Sequence, residues 1–279
     1  STLVRPHQGI ICPASAHINV DECGGPERFT GSKLIDVETP DGKLTSRHIE
    51  NQLHVMGDVH HVQPGAISVT QITEYGTLYS VDELEAVCAT AKAAGLRIHM
   101  DGARLANAAA ALDVPARSFT RDLGVDVLSF GGAKNGIGYG EAVVFFDEEL
   151  FALGRFAQKA SAQLPSKMRF VAAQFSALLE GDLWLRHGRH ANAMARRLAD
   201  GAAQISGVEL TQPVAANAVF AKLARPSVER LQAWSHFYVW SPAPVGDDPV
   251  DEVRWMTSFE TTEECVDRFL AGLAAELID

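Results

Sequence analysis

The stretch LRIHMDGARLANAAAALDVPARSFTRDLGVDVLSFGGAKNGIG, from Leu96 to Gly138, constrains the fold of this chain more than any other. It contains two short apolar runs, Leu96 to Met100 and Val125 to Phe130, of a length that fits buried strands. Each ends on polar residues where a buried strand would leave the core. Asp101 and Arg104 follow the first run, and Lys134 follows the second among Gly131, Gly132, Gly136 and Gly138. In parallel α/β sheets ligands bind beyond the carboxyl ends of the strands, so an acid and a lysine at two such ends can face one pocket.

A lysine that forms a Schiff base needs close backbone approach, which glycine permits, and partial desolvation, which frees its neutral amine. An aspartate beside a pyridine nitrogen keeps that ring protonated and makes it an electron sink. The pair therefore points to pyridoxal phosphate. A second reading stands beside it on spacing alone, since lysine in a glycine-rich turn is also an ordinary solvated loop residue and Asp-Gly an ordinary turn dipeptide.

The rest of the chain reads as an alternation of strands and helices. Residues 9–12 form an apolar run closed by Pro13, and His17 follows on a helix expected over 14–22. An imidazole there can pack on an aromatic ring and move a proton at neutral pH, or simply bond the backbone at a helix start. Residues 33–37 read as a strand, Asp41 and Gly42 as a turn, and a helix is expected from about Ser46. His48, His54, His60 and His61 lack zinc spacing and read as interface and loop residues. A strand over 66–73 and an amphipathic helix over 81–94, with Leu84, Val87, Cys88 and Ala91 inward and Gly95 as stop, lead into Leu96 as a βαβ unit. Thr73 and Glu74 leave that strand as near the expected pocket as Asp101 does.

After Lys134 the run EAVVFF is a strand. GGAKNGIGYG therefore opens no helix as a dinucleotide fingerprint must, and no Ser or Thr follows its lysine as a P-loop requires. Residues 147–201 are helical with breaks at Pro165 and Gly181, and strands and helices alternate again to a closing helix from Thr262. SPAPVGDDPVDE reads as an exposed hairpin or loop. Arg254 lies inside the strand VRWM, where its charge needs a partner, and an amino acid carboxylate could supply one bidentately.

Composition narrows the partners. A net charge of −11 disfavours nucleic acid and anionic membrane surfaces. Cys12, Cys23, Cys88 and Cys265 are scattered, as reduced thiols of a cytoplasmic protein would be. No apolar run has the length of a membrane span, and STLVRPHQGIIC has neither a signal-peptide pattern nor an initiator methionine.

HMDGARLANA followed by SFGGAKNG resembles the signature pair of the low-specificity L-threonine aldolases, members of the beta-eliminating lyase group of pyridoxal phosphate enzymes. SAHINVDECG, HVQPGAISVTQITEYGTLY and EVRWMTSF extend the resemblance over essentially the whole chain. It implies an α/β fold of type I, with a mostly parallel sheet in a large cofactor domain over 1–180 and a small C-terminal α/β domain over 181–279. It also implies an N-terminally truncated chain, because the family has upstream a helix-rich segment and a Gly/Thr-rich turn that cups the cofactor phosphate. The implied roles are a Schiff base on Lys134, Asp101 at the pyridine nitrogen and His17 over the ring and as candidate base. Arg169 would lie near the phosphate, and Arg104 and Arg254 would hold the substrate carboxylate. No metal is implied, and the assembly would be a homodimer or homotetramer. The expected reaction is cleavage of threonine-like β-hydroxy-α-amino acids to glycine and an aldehyde. Beta-elimination on the same scaffold, or a non-catalytic fragment, are the alternatives.

Overall fold

In a computed structural model, residues 1–244, 246 and 248–277 are described. The first part of the chain runs β1 (Gln8–Pro13), α1 (His17–Val20), α2 (Gly25–Thr30), β2 (Lys33–Val37), α3 (Ser46–Glu50), β3 (Gln63–Thr70), α4 (Val81–Ala93), β4 (Arg97–Gly102), α5 (Leu105–Leu112), β5 (Val127–Phe130) and β6 (Ala142–Phe145). These strands form one sheet in the order β2-β1-β3-β4-β5-β6. All neighbours pair in parallel except β5 and β6, which pair antiparallel. β3 is buried along its length after Gln63. That continuous burial, without alternation, belongs to a strand deep inside an α/β sheet.

α4 starts from a capping box between Ser80 and Glu83, buries Leu84, Val87, Cys88 and Ala91, and ends before Gly95 at φ +71°. That apolar face packs with Ile67, Val69, Ile98, Met100 and Leu128 of the sheet into the main core. β3 stops at Thr70, short of the expected Thr73. The reason is Gln71, which is fully buried and turns its amide to the backbone of Tyr79, donating at 2.9 Å and accepting at 3.1 Å. The helix expected over 14–22 is the single turn α1, closed when Asp21 N–H donates to the His17 carbonyl at 3.0 Å.

The chain then runs through α6 (Glu148–Ala160), α7 (Met168–Leu179) and α8 (Leu183–Ala202). β7 (Glu209–Leu210), β8 (Ala218–Ala224), α9 (Arg225–Gln232), β9 (Tyr238–Ser241), β10 (Val250–Met256) and α10 (Glu263–Glu276) complete it. The four strands form an antiparallel sheet in the order β7-β8-β10-β9. Its core joins Val219, Leu223, Val253 and Trp255 to Leu198 of α8, Leu231 of α9 and Leu273 of α10. The expected loop SPAPVGDDPVDE ends earlier than its composition implied, because β10 already begins at Val250. Val245 and Asp247 of that stretch lie outside the described residues. Asp251 accepts from Arg225 Nε at 2.9 Å and Nη2 at 2.7 Å, a bidentate pair that draws the acid out of the loop and into the sheet.

α8 ties the two sheets together. Its later turns belong to the second core, while Gly188 presses on α5 so closely that a Cβ there would lie 2.4 Å from the Ala106 carbonyl oxygen. Asn107 and Asn192 seal the contact, with one amide donating to the other at 3.0 Å and Asn192 donating to the Asn107 carbonyl at 2.9 Å. Among the described residues no helix is long and apolar enough to cross a membrane. Replacing Gly188 by Val should cost about 1–3 kcal/mol of stability by overpacking this crossing. Gly25→Ala, whose Cβ would meet nothing within 4 Å, should stay within about 0.5 kcal/mol of the parent. Urea unfolding of the two variants measures the difference.

Candidate active site

Four parallel strands that are neighbours in the sheet, β1, β3, β4 and β5, deliver polar residues to one sheet edge. His17 follows β1, Glu74 follows β3, Asp101 and Arg104 stand at the end of β4, and Lys134 follows β5. Asp101 pairs in register with Thr70 and with Ser129, so it lies level with both neighbouring exits. This is the edge at which α/β sheets bind ligands.

The exits of β4 and β5 are held together by backbone. Gly131 N–H donates to the Gly102 carbonyl at 2.9 Å, and a Cβ on Gly131 would lie 2.1 Å from the Ala103 carbonyl oxygen. Only glycine fits there. Beyond it, the Glu141 carboxylate accepts the N–H groups of Gly132 and Ala133, and the Asn135 side chain donates to the Trp184 carbonyl at 3.1 Å. His187 donates from Nδ1 to the Asn135 carbonyl at 2.8 Å while its ring stacks on Phe259. Lys134 thus rides on a turn clamped by Glu141 just before β6 and by α8, whose His187 is stacked on Phe259 after β10. Glu141 and His187 carry no motif in the sequence, and only their hydrogen bonds in the folded chain reveal the role.

Electrostatics at this edge favour an anion. Lys134 opens to solvent, yet the protein crowds its ammonium, and desolvation followed by the charge of Arg104 lowers its pKa. Asp101 and Glu141 pull the other way without reversing the shift. Arg104 is held below the usual guanidinium range by burial first and by Arg254 second. Arg254 is lowered by burial, and its Nε has no hydrogen-bond partner. The Arg254 guanidinium lies 4.5 Å over the Trp240 ring and 5.7 Å over Tyr238. Trp240 is braced edge-on by Phe220 and Tyr75. Among the described residues neither Arg104 nor Arg254 has an acid within ion-pair distance.

The remaining positions differ in environment. Asp101 accepts from Ala103 N–H at 2.9 Å, which fixes its carboxylate at the strand end. His17 bonds Glu22 through Nδ1 at 2.7 Å with its side chain 43% exposed, and its backbone N–H donates to Glu74 Oε1 at 2.8 Å. Arg169 is exposed at the start of α7 with its guanidinium over the Phe170 ring, and it is not among the charges acting on Lys134. Glu74 is 8% exposed, and burial raises its pKa. Its place one turn beyond a strand end, like His17 and Lys134, was the sequence signal for it. A cavity of about 830 Å³ lies against α6, lined by Ile10, Ala66, His99, Val127 and Phe145 and reaching Glu141.

A profile described as beta-eliminating lyase matches residues 1–226. The chain is 43% identical over 269 residues to a low specificity L-threonine aldolase of Pseudomonas aeruginosa, covering 95% of this chain and 75% of the relative. A second, from a Pseudomonas species, is 41% identical over 278 residues, covering 99% and 78%. Among solved structures, Leishmania major threonine aldolase superposes with a TM-score of 0.91 at 32% identity, over 98% of this chain and 79% of that one. An aspartate aminotransferase from Thermus thermophilus, at 15% identity and TM-score 0.63 over 99% and 72%, shares the fold.

The crowded ammonium of Lys134 has a direct readout. With limiting trinitrobenzenesulfonate near neutral pH, in protein freed of carbonyl compounds, peptide mapping should find Lys134 labelled ahead of the exposed Lys159 and Lys167. Arg104→Ala removes a charge that disfavours the ammonium, so it should raise the Lys134 pKa and slow its labelling.

Proposed function

The chain belongs to the beta-eliminating lyase family, and from that membership we propose that it uses pyridoxal phosphate to split L-threonine, allo-threonine and similar β-hydroxy-α-amino acids into glycine and an aldehyde. The observation that carries this reading is the pair Arg104 and Arg254, two crowded guanidiniums without an acid at ion-pair distance among the described residues, whose charges both act on the desolvated lysine. Such a pair calls for a carboxylate ligand, and the amine next to it calls for a carbonyl.

The residues fit the cofactor. When bound, pyridoxal phosphate supplies the carbonyl that captures an amine and the ring that takes up electrons released at an amino acid's Cα. Lys134 would hold it, since its lowered pKa keeps more of the amine neutral and nucleophilic. Asp101, fixed by the Ala103 N–H, would keep the proton on the ring nitrogen. His17 would pack over the ring, and Arg169 would serve the phosphate. Arg104 and Arg254 would orient the substrate through its carboxylate, leaving the bond to Cβ as the one held for cleavage. Trp240 stiffens Arg254 for that grip.

We read the cofactor domain as 1–180 and the smaller domain as 181–279, in a cytoplasmic homodimer or homotetramer. Phe29 at 68%, Phe156 at 77% and Phe170 at 60% exposure supply apolar surface for such an assembly.

The test is to incubate the protein with pyridoxal phosphate and L-threonine and to measure aldehyde. Borohydride should fix the cofactor covalently on Lys134, and Lys134→Ala should abolish both the adduct and turnover. Arg254→Ala should load cofactor normally and raise KM for threonine about 10- to 150-fold, as loss of a charge-assisted hydrogen bond worth roughly 1.5–3 kcal/mol predicts. Ammonia and a keto acid in place of aldehyde would assign the site to elimination instead.

A further inference from the structure

Resting on the threonine-cleavage reading above, the geometry points to Glu74 as the group that takes the proton of the substrate's β-hydroxyl. Among the described residues, the buried side-chain atoms without a hydrogen-bond partner are Ser15 Oγ, Thr39 Oγ1, Glu74 Oε2, Asn217 Oδ1, Arg254 Nε and Trp255 Nε1. Two of them belong to chargeable groups whose charges act on each other, Arg254 and Glu74. Arg254 Nε is a donor and awaits an acceptor. Glu74 Oε2 is a carboxylate oxygen, an acceptor that awaits a donor.

The carboxylate is aimed as well as vacant. Glu74 Oε1 accepts from His17 N–H at 2.8 Å and from Thr70 Oγ1 at 3.2 Å, and these bonds fix the plane in which Oε2 is left over. An unsatisfied carboxylate oxygen in a buried place is costly, and a donor hydroxyl on a bound substrate would relieve that cost. Titratable and charged groups face it from several elements. β1 brings the Cys12 thiol, α1 the backbone of His17, and β4 and its exit Asp101 and Arg104. β10 brings Arg254, and the Tyr79 phenol lies behind. Glu74 stands at the edge that carries the other site residues: Thr70, which donates to it, pairs in register with Asp101, and His17, whose N–H it accepts, follows β1.

Burial, reinforced by Asp101, raises the Glu74 pKa, toward the range in which a carboxylate works as a general base. His17, the base suggested by resemblance, has its Nδ1 engaged by Glu22. The β-hydroxyl proton passes to Oε2, the oxygen's bonding pair forms the aldehyde C=O, and the Cα–Cβ bond breaks with its pair left at Cα. A proton taken up at Cα completes glycine, and Glu74 returns its own proton to water.

The experiment uses the cofactor-loaded protein and Glu74→Gln, which preserves size and the acceptor for His17 N–H. Three readouts are taken: cofactor loading by absorbance and borohydride fixation, kcat and KM for aldehyde release from L-threonine, and exchange of the α-hydrogen of glycine in heavy water by proton NMR. Glycine has no β-hydroxyl, so its exchange does not need Glu74. The expected result is a kcat for threonine lower by about 10²–10⁴-fold, with KM, loading and glycine exchange close to the parent. The parent's activity should also fall as pH drops through the raised Glu74 pKa, and that acid limb should vanish in the variant. An unchanged kcat, lost loading, or a parallel fall in glycine exchange would overturn the assignment. A parent that loads cofactor and exchanges glycine but releases no aldehyde would overturn the threonine reading itself.

Discussion

The backbone of Gly131 lies against the backbone of Ala103 with no room for a side chain, and the geometry of the whole edge descends from that contact. Parallel pairing brings β4 and β5 to within a strand spacing along their length. Beyond the last ladder bond nothing in the sheet obliges the two exits to stay together. The Gly131 N–H bond to Gly102 prolongs the pairing by one step, and the missing Cβ lets the chains close the gap. Asp101, Arg104 and Lys134 then share one electrostatic environment, in which each shifts or is felt by the others.

An acidic protein with a cationic pocket follows from the same arrangement. The net charge of −11 is spread over the surface, while Arg104, Lys134 and Arg254 converge where desolvation makes their charges strongest. A net negative charge disfavours polyanions, whereas the convergent cations favour a small anion.

Much of this was readable from residue order. Apolar runs closed by polar residues located the strands and their exits, because burial on both faces of a sheet leaves no other pattern. The spacing of Leu84, Val87, Cys88 and Ala91 gave the buried face of α4 for the same reason. What residue order did not carry was pairing at long range. Asp251 leaving its loop for Arg225, and Glu74 accepting from His17 N–H, depend on partners far along the chain, and Glu141 braces the lysine turn across a strand exit that propensity does not register. Polar groups obey no periodicity that says which of them will be satisfied. Gln71 ended β3 early through a side-chain contact with Tyr79 that strand propensity cannot register.

α8 has a mechanical consequence. One face of it is locked to α5 at Gly188, and the residue before it, His187, holds the backbone beside Lys134. Its far end is built into the core that carries Arg254. The helix is therefore a rigid lever with the lysine near its fulcrum and the arginine on its long arm. Any rotation of the smaller sheet travels through it, so the reach of the arginine and the pose of the lysine cannot be adjusted independently.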